Sequence, residues 1–551
     1  MKGMMMRSPL TLVPIFERAG RLFGSVEIVS RRPDGSTHRY TYADWYGRAQ
    51  ALATVLQEIG IRRGDRVATL MWNHHAHLEA YFAVPVVGGV LHTLNLRLHP
   101  DELAYIVDHA ADRFLIVDDV LLPLFERIRD RVDLERVIVV PFGGAPTPHA
   151  YEDYERRLRQ RQGSPRYADV EEDDALGMCY TSGTTGKPKG VVYSHRAIAL
   201  HSYSISLPDS FSISRNDTVL FAMSMFHANA WGMPFAAIMN GCRLVLPGPN
   251  LQPEALLDLL SAHQVTLTGA VPTVWMGVAD ALEKHPGRWR LADGLRLVVG
   301  GSACPEALIR RFDRLGVRVI QVWGMTETAP IATVSTLKPH MQSWPEDEKY
   351  EVRAQQGLPA PFVELRSVAE DREVPWDGMT AGELEVRGPF VASGYHRQAE
   401  ERDRWTADGW LRTGDVVTID PEGYVKITDR SKDLIKSGGE WISSVDVENA
   451  LVAHPAVAEA AVIAVPHPQW QERPLAVVVL RRDGRASAED LRSFLAHTFA
   501  KWQLPDGFVF VSELPHTSTG KLLKSALRQQ YRGWNREARR PEESAPTLMG
   551  R

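Results

Sequence analysis

The chain has 551 residues, 44% of them hydrophobic and 24% charged, with a net charge of −5. That length exceeds what one ordinary core serves, so two or more domains are expected, and the mild acidity gives nucleic acid no electrostatic footing as a partner. Three widely spaced cysteines (Cys179, Cys242, Cys304) indicate neither a disulfide framework nor a zinc site, and they point to a reducing, cytoplasmic compartment.

The first apolar run is broken by Pro9, Pro14, Glu17 and Arg18, which argues against a signal peptide. Leu12, Ile15, Phe16, Ala19 and Leu22 recur at helical spacing and predict an amphipathic helix docked on the protein. The uncharged run from Ala80 to Leu96 contains Pro85, Gly88 and Gly89 and reads as buried core, so no membrane span is expected. From about residue 25 to 350, strand-like runs alternate with helical patterns. The strands are Val67–Met71, Phe114–Val117, Val137–Val140, Val219–Met223, Arg243–Leu246, Leu297–Val299 and Val317–Val322, and the helices include Pro100–Ala110 and Pro253–Ala262. That texture predicts an α/β architecture with two layers of largely parallel, buried sheet.

Around Gly382–Tyr424 the pattern changes to short β runs with Gly turns, a smaller β-rich subdomain spanning about 350–428. Beyond Asp429 helices and strands alternate in a compact α+β stretch, with helices opening at Ser443 and Ser487, each followed three residues later by Asp. The expected organisation is a large N-terminal domain over 1–428 and a small C-terminal domain over 429–551. The final 20 or so residues are polar, Pro-containing and expected to be disordered.

The segment Tyr180-Thr-Ser-Gly-Thr-Thr-Gly-Lys-Pro-Lys-Gly190 combines hydroxyls, glycines and lysines in the manner that suits a polyphosphate. Glycines let backbone N–H groups approach, hydroxyls donate to phosphate oxygens, and lysines offset the charge. It is not a Walker A loop, because Pro188 follows Lys187. Further motifs follow in order: Gly300-Gly-Ser-Ala303, Gln321-Val-Trp-Gly-Met-Thr-Glu-Thr328, Gly409-Trp-Leu-Arg-Thr-Gly-Asp415, Asp429-Arg-Ser-Lys-Asp-Leu-Ile-Lys436 and Pro515-His-Thr-Ser-Thr-Gly-Lys521. Glu327 follows a buried strand and a Gly, where a carboxylate can hold Mg²⁺. The same pair, Thr326 and Glu327, also suits a helix N-cap with a dipole-compensating acid.

Six such motifs in this order resemble the adenylate-forming superfamily of acyl-CoA synthetases, luciferases and peptide-synthetase adenylation domains, over nearly the whole chain. The resemblance implies ATP, Mg²⁺ and CoA, and a small domain that moves about a hinge at Asp429. It implies nucleotide contacts from Thr181, Ser182, Gly183, Thr184, Thr185, Gly186, Lys189, Gly301, Gln321, Val322, Thr326, Asp415 (ribose) and Arg430. It places Thr181 and Glu327 at the metal and makes Lys521 the catalytic cation bridging substrate carboxylate and α-phosphate. Lys432, Lys436 and Trp441 resemble residues that approach the nucleotide on closure, although Lys432 equally suits a basic turn ahead of a Gly438-Gly439 hairpin.

Phe226-His227-Ala228-Asn229-Ala230-Trp231 bears on the acid. Amino-acid-activating relatives have a carboxylate where His227 stands, and here no acid lies between Asp217 and Glu254, so an α-ammonium would go unpaired. The apolar surroundings suit an acyl chain, with His227 at the reacting end, Ala228 beside the chain and Trp231 resembling the gating tryptophan of bacterial long-chain fatty acyl-CoA synthetases. The expected activity is a medium- or long-chain fatty acid–CoA ligase. An aryl or short-chain acid, or a carrier-protein thiol as acceptor, is the alternative. The resemblance further implies a homodimer, and a lipid substrate is compatible with peripheral membrane contact.

Overall fold

The computed structural model describes residues 1, 3–181, 187–430, 432–437, 440–482, 484–517 and 521–534. The expected disordered terminus, the Ser182–Gly186 part of the phosphate loop and the Gly438-Gly439 turn lie outside the described residues.

Two layered sheets form the large part, as the alternation of strands and helices predicts. One has nine strands, in the order Leu358–Pro359, Ile331–Val334, Arg318–Gly324, Arg296–Val299, Leu267–Ala270, Thr218–Leu220, Arg243–Leu246, Glu27–Arg31 and Thr37–Thr41. Its central pairs are parallel, and its outermost strands are antiparallel. The other has seven strands, centred on Asp112–Asp118, Arg66–Leu70 and Val90–Thr93 and closed by the antiparallel pair Ala175–Tyr180 and Gly190–Ser194. Between the sheets runs the helix His75–Val86, in which every residue is buried. An all-round buried helix has no polar face to give to water, so its acid needs an internal partner. Glu79 takes Arg48 Nε at 2.7 Å and the Tyr154 hydroxyl at 2.6 Å.

The N-terminal helix is found at Leu12–Leu22, docked through Leu12, Phe16 and Ala19, with Phe16 edge-on to Trp45 at 5.3 Å. Leu22, expected on the docked face, is 65% exposed, because it ends the helix beyond its last packed turn. The strand expected over Val219–Met223 stops at Leu220: the carbonyls of Phe221 and Met223 are taken by Asn73 Nδ2, both at 2.7 Å, instead of by a neighbouring strand.

A five-stranded antiparallel sheet follows, made of Glu364–Ala369, Arg372–Glu373, Gly382–Arg387, Leu411–Ile419 and Val425–Arg430. Its last strand ends at Arg430. Beyond it the long hairpin Val457–His467/Gln471–Leu480 carries helices Ser444–Ala453, Ala488–Leu495 and Lys524–Gln530, and two apolar clusters there draw only on residues after 434. Ser443 and Ser487 cap their helices as expected, accepting from Asp446 N at 3.0 Å and Asp490 N at 3.2 Å. No helix among the described residues is long and apolar enough to cross a membrane.

Because Glu79 is fully enclosed, Arg48→Met strands a buried carboxylate. It is expected to cost about 3–5 kcal/mol, read as a lowered urea midpoint for the large-domain transition.

Candidate active site

The site assembles where parallel strands end. Arg296–Val299 and Arg318–Gly324 are neighbours in register, with Val299 opposite Gln321, so the turn after Val299 lies beside Val322. Only glycine fits there. A Cβ on Gly300 would stand 2.7 Å from Val322 Cγ2, and Gly301 adopts φ +84°. Val322 is buried, and its side chain faces Gly300. Gln321 is 1% exposed; its Oε1 accepts from Cys304 N at 3.3 Å, while its Nε2 donates to no described group. A buried amide N–H₂ with its donor unused fits a hydrogen-bond acceptor on a planar ligand such as a nucleobase.

From the five-stranded sheet comes Asp415, opposite Arg430 in register. Asp415 Oδ2 accepts from Trp323 Nε1 at 2.9 Å, and Oδ1 lies 3.4 Å from Arg430 Nε. Trp323 shares a strand face with Gln321, which period-two alternation would have revealed, yet it escaped sequence reasoning.

Glu327 is 4% exposed and accepts the Tyr395 hydroxyl at 2.5 Å. Thr326, whose carbonyl takes the Tyr193 hydroxyl at 2.8 Å, opens a 3₁₀ turn over Thr326–Thr328, and the N-cap position belongs to Met325. The simple N-cap reading of Thr326 is therefore corrected: the turn is closed by Thr328 Oγ1, which accepts from Met325 N at 3.0 Å. Thr181 accepts the Lys189 amide on Oγ1 at 3.1 Å, which ties the two ends of the phosphate loop. Lys189 Nζ pairs with Glu401 at 2.5 Å and lies 5.1 Å from the Tyr395 ring centroid. Tyr395 and Glu401 carry no local motif and are brought in only by the fold. A buried carboxylate and a hydroxyl, both hard oxygen donors, suit Mg²⁺. The other loop residues, Ser182, Gly183, Thr184, Thr185 and Gly186, lie outside the described residues.

Lys521 reaches this place from the far end of the chain. Its Cε would be 3.4 Å from a Cβ on Gly301, and its charge is felt by His227. Loss of water pushes the Lys521 ammonium down to about 8, with Arg430 adding to the fall and Asp415 and Glu327 opposing it. His227 is pushed down to about 3 by burial and by Lys521, so it is a neutral imidazole at working pH. A narrow cavity of about 10 Å³ opens between Thr181 and His227, lined also by Tyr180 and Phe226.

After His227 the backbone makes a left-handed turn. Ala228, Asn229, Ala230 and Trp231 all have φ between +42° and +58°. Each costs a non-Gly residue about 1–2 kcal/mol, and Asn229 Oδ1 anchors the turn by accepting from Cys179 Sγ at 3.2 Å. The turn brings Trp231 Cη2 within 3.6 Å of a Cβ built on Gly300. Lys521 and Trp231 thus stand over consecutive glycines.

Three further expected nucleotide contacts follow Arg430, and of these Lys432 feels the charge of Asp415. Lys436 and Trp441 face each other across an exposed hairpin, with Trp441 53% exposed, and Lys432 follows Arg430 by two residues with its amine lowered by partial burial and by Arg430.

A model of AMP-binding enzymes matches residues 16–396, and one of the AMP-binding enzyme C-terminal domain matches 446–521. The chain is 52% identical over 532 residues to a long-chain-fatty-acid–CoA ligase of Thermus thermophilus, covering 96% of this chain and 97% of that one. It is 41% identical to a 3-methylmercaptopropionyl-CoA ligase of Ruegeria lacuscaerulensis, over 97% and 99%. Among solved structures, an anthranilate CoA ligase in complex with anthranoyl-AMP superposes with a TM-score of 0.84 at 25% identity, over 96% and 99%. The chain therefore belongs to the AMP-binding, adenylate-forming enzyme family, as an AMP-forming acid–CoA ligase using ATP, Mg²⁺ and CoA.

Proposed function

We propose that this ligase activates a medium- or long-chain fatty acid in two half-reactions, with Lys521 as the cation of the first. The observation that carries the reading is the uncharged wall from Phe226 to Trp231, which meets the Lys521 ammonium at Gly300–Gly301. An apolar acyl chain fits the wall, and its carboxylate meets the Lys521 ammonium beside it.

In the first half-reaction a carboxylate oxygen attacks the α-phosphorus of ATP, the α–β phosphoanhydride bond breaks, and pyrophosphate leaves. Both reactants are anionic, so a fixed cation in a water-poor site lowers the barrier by offsetting the charge they share. Lys521 supplies it, Thr326 and the Thr181–Lys189 strap hold the phosphates, and Asp415 with Arg430 takes the ribose diol. Gly301, Gln321 and Val322 enclose the base. Glu327 and Thr181 would hold Mg²⁺, which supplies charge neutralisation on the phosphate oxygens. In the second half-reaction the CoA thiol attacks the acyl carbon and AMP leaves. For that step we propose that the small domain, residues 429–551, turns about Asp429, withdraws Lys521 and brings the Lys436–Trp441 hairpin inward. A homodimer, a cytoplasmic location and transient contact with a lipid surface complete the reading.

Lys521→Ala is expected to abolish acid-dependent ATP–pyrophosphate exchange, a loss of at least about 100-fold, while thioester formation from supplied acyl-adenylate persists. Unchanged exchange would remove Lys521 from the chemistry. The working form of Lys521 is protonated, and its free-enzyme value is about 8. The kcat/KM for exchange should therefore be flat below that pH and fall tenfold per unit above it, whereas kcat should hold to higher pH once bound anions restore the proton. A panel of acids from acetate to palmitate, with benzoates, should show AMP release peaking at C8 or longer. A peak at acetate or benzoate would favour the alternative reading, an aryl or short-chain acid ligase.

A further inference from the structure

The helix Lys524–Gln530 opens three residues after Lys521, and its first side chain is tied down on both sides. Lys524 Nζ donates to Ser444 Oγ at 2.6 Å and pairs with Glu448 Oε1 at 2.6 Å, with the two charged side chains 11% and 12% exposed. Glu448 also accepts the Val462 amide at 2.6 Å, which anchors it in the central hairpin of the small domain.

Ser444 turns the contact toward the junction between domains. Its amide donates to Asp429 Oδ2 at 2.7 Å, while Asp429 Oδ1 accepts the Arg430 amide at 2.7 Å. Arg430 in turn faces Asp415. One polar path therefore runs Lys524–Ser444–Asp429–Arg430–Asp415, from the helix behind Lys521 to the edge of the nucleotide site.

The described residues on either side of the segment that bears Lys521 are tied together. Thr517 N donates to Lys521 O at 2.7 Å, Lys521 N donates to Thr517 Oγ1 at 3.1 Å, and Leu523 N donates to Pro515 O at 2.8 Å. These bonds join Pro515, Thr517 and Lys521 to Leu523 at the start of the helix, so whatever fixes the first turn of that helix bears on the reach of Lys521. Leu527 is buried and Arg528 pairs with Asp433, which secures the later turn and leaves the first turn to Lys524. A buried ion pair adds little net stability over an apolar pair of the same shape, but its directional bonds hold a register.

We propose that Lys524 is a positioning residue for adenylation: through Ser444 it couples the Lys521 loop to Asp429 and sets where the catalytic ammonium lands. This rests on the reading of Lys521 as the cation of the first half-reaction.

The test uses full-length Lys524→Met and Lys524→Arg, with Lys521→Ala as control, each assayed for ATP–pyrophosphate exchange and for acyl-CoA formation from supplied acyl-adenylate. A displacement of about 1 Å costs about 100-fold, so K524M should lose roughly 30- to 100-fold in exchange kcat with little change in KM for ATP. Its second half-reaction should stay within about twofold, and K524R should recover most of the loss. Where K524M fails to fold, Ser444→Ala removes the hydroxyl that accepts from Lys524 and keeps the amide bond to Asp429, so it cuts the path at its first link and should lower exchange kcat about tenfold in the same selective way. Exchange within twofold of wild type in K524M, or equal losses in both half-reactions, overturns the proposal. An inactive K521A beside a normal K524M refutes this inference alone. An active K521A refutes the underlying reading as well.

Discussion

The arrangement depends on one ammonium carried across a domain junction into a site largely stripped of water. Lys521 gives up hydration to reach Gly301, and its lowered proton affinity measures that loss. Asp415 and Glu327 return part of it. The small domain, its caps, the Thr517–Lys521 backbone bond and the buried Lys524–Glu448 pair all bear on where this one charge comes to rest. Phosphate oxygens and a carboxylate would provide the compensation that two protein acids provide in part, so the ammonium is better matched to the reacting groups than to its own surroundings.

Backbone shape on the large domain meets that demand. Two glycines end the Arg296–Val299 strand because a side chain at the first would strike Val322, while the second adopts φ +84° and sits tightly against Val271. Facing them, four successive left-handed residues hold Trp231 over Gly300 at a conformational cost that ordinary loops avoid. Strain concentrated in this turn fits the acyl wall proposed for it, whose position would matter more than its stability.

Much of this was legible from the sequence, and for physical reasons. Parallel strands buried on both faces read as continuous Val/Leu runs, so Arg243–Leu246 and Arg296–Val299 stood out, as did the Ser-x-x-Asp starts at Ser443 and Ser487. Motif order gave Glu327, Asp415 and Lys521. What stayed hidden was pairing at long range. Tyr395 meets Glu327 from 68 positions away and Glu401 meets Lys189 from 212, and neither has a local pattern. The early end of the Thr218–Leu220 strand depends on Asn73, which no window around residue 220 contains. Lys524 carries no local signal, because its acid partner lies on another helix.

Lysine-reactivity mapping tests the central claim most directly. Reductive methylation of the wild-type enzyme, read residue by residue by mass spectrometry, would be compared with and without Mg²⁺, α,β-methylene-ATP and decanoate. Lys521 should become the most strongly protected lysine outside the phosphate loop when the ligands are present. Methylation of Lys521 at the same rate in both samples, with Lys189 protected, would show that the nucleotide binds without it and contradict the account.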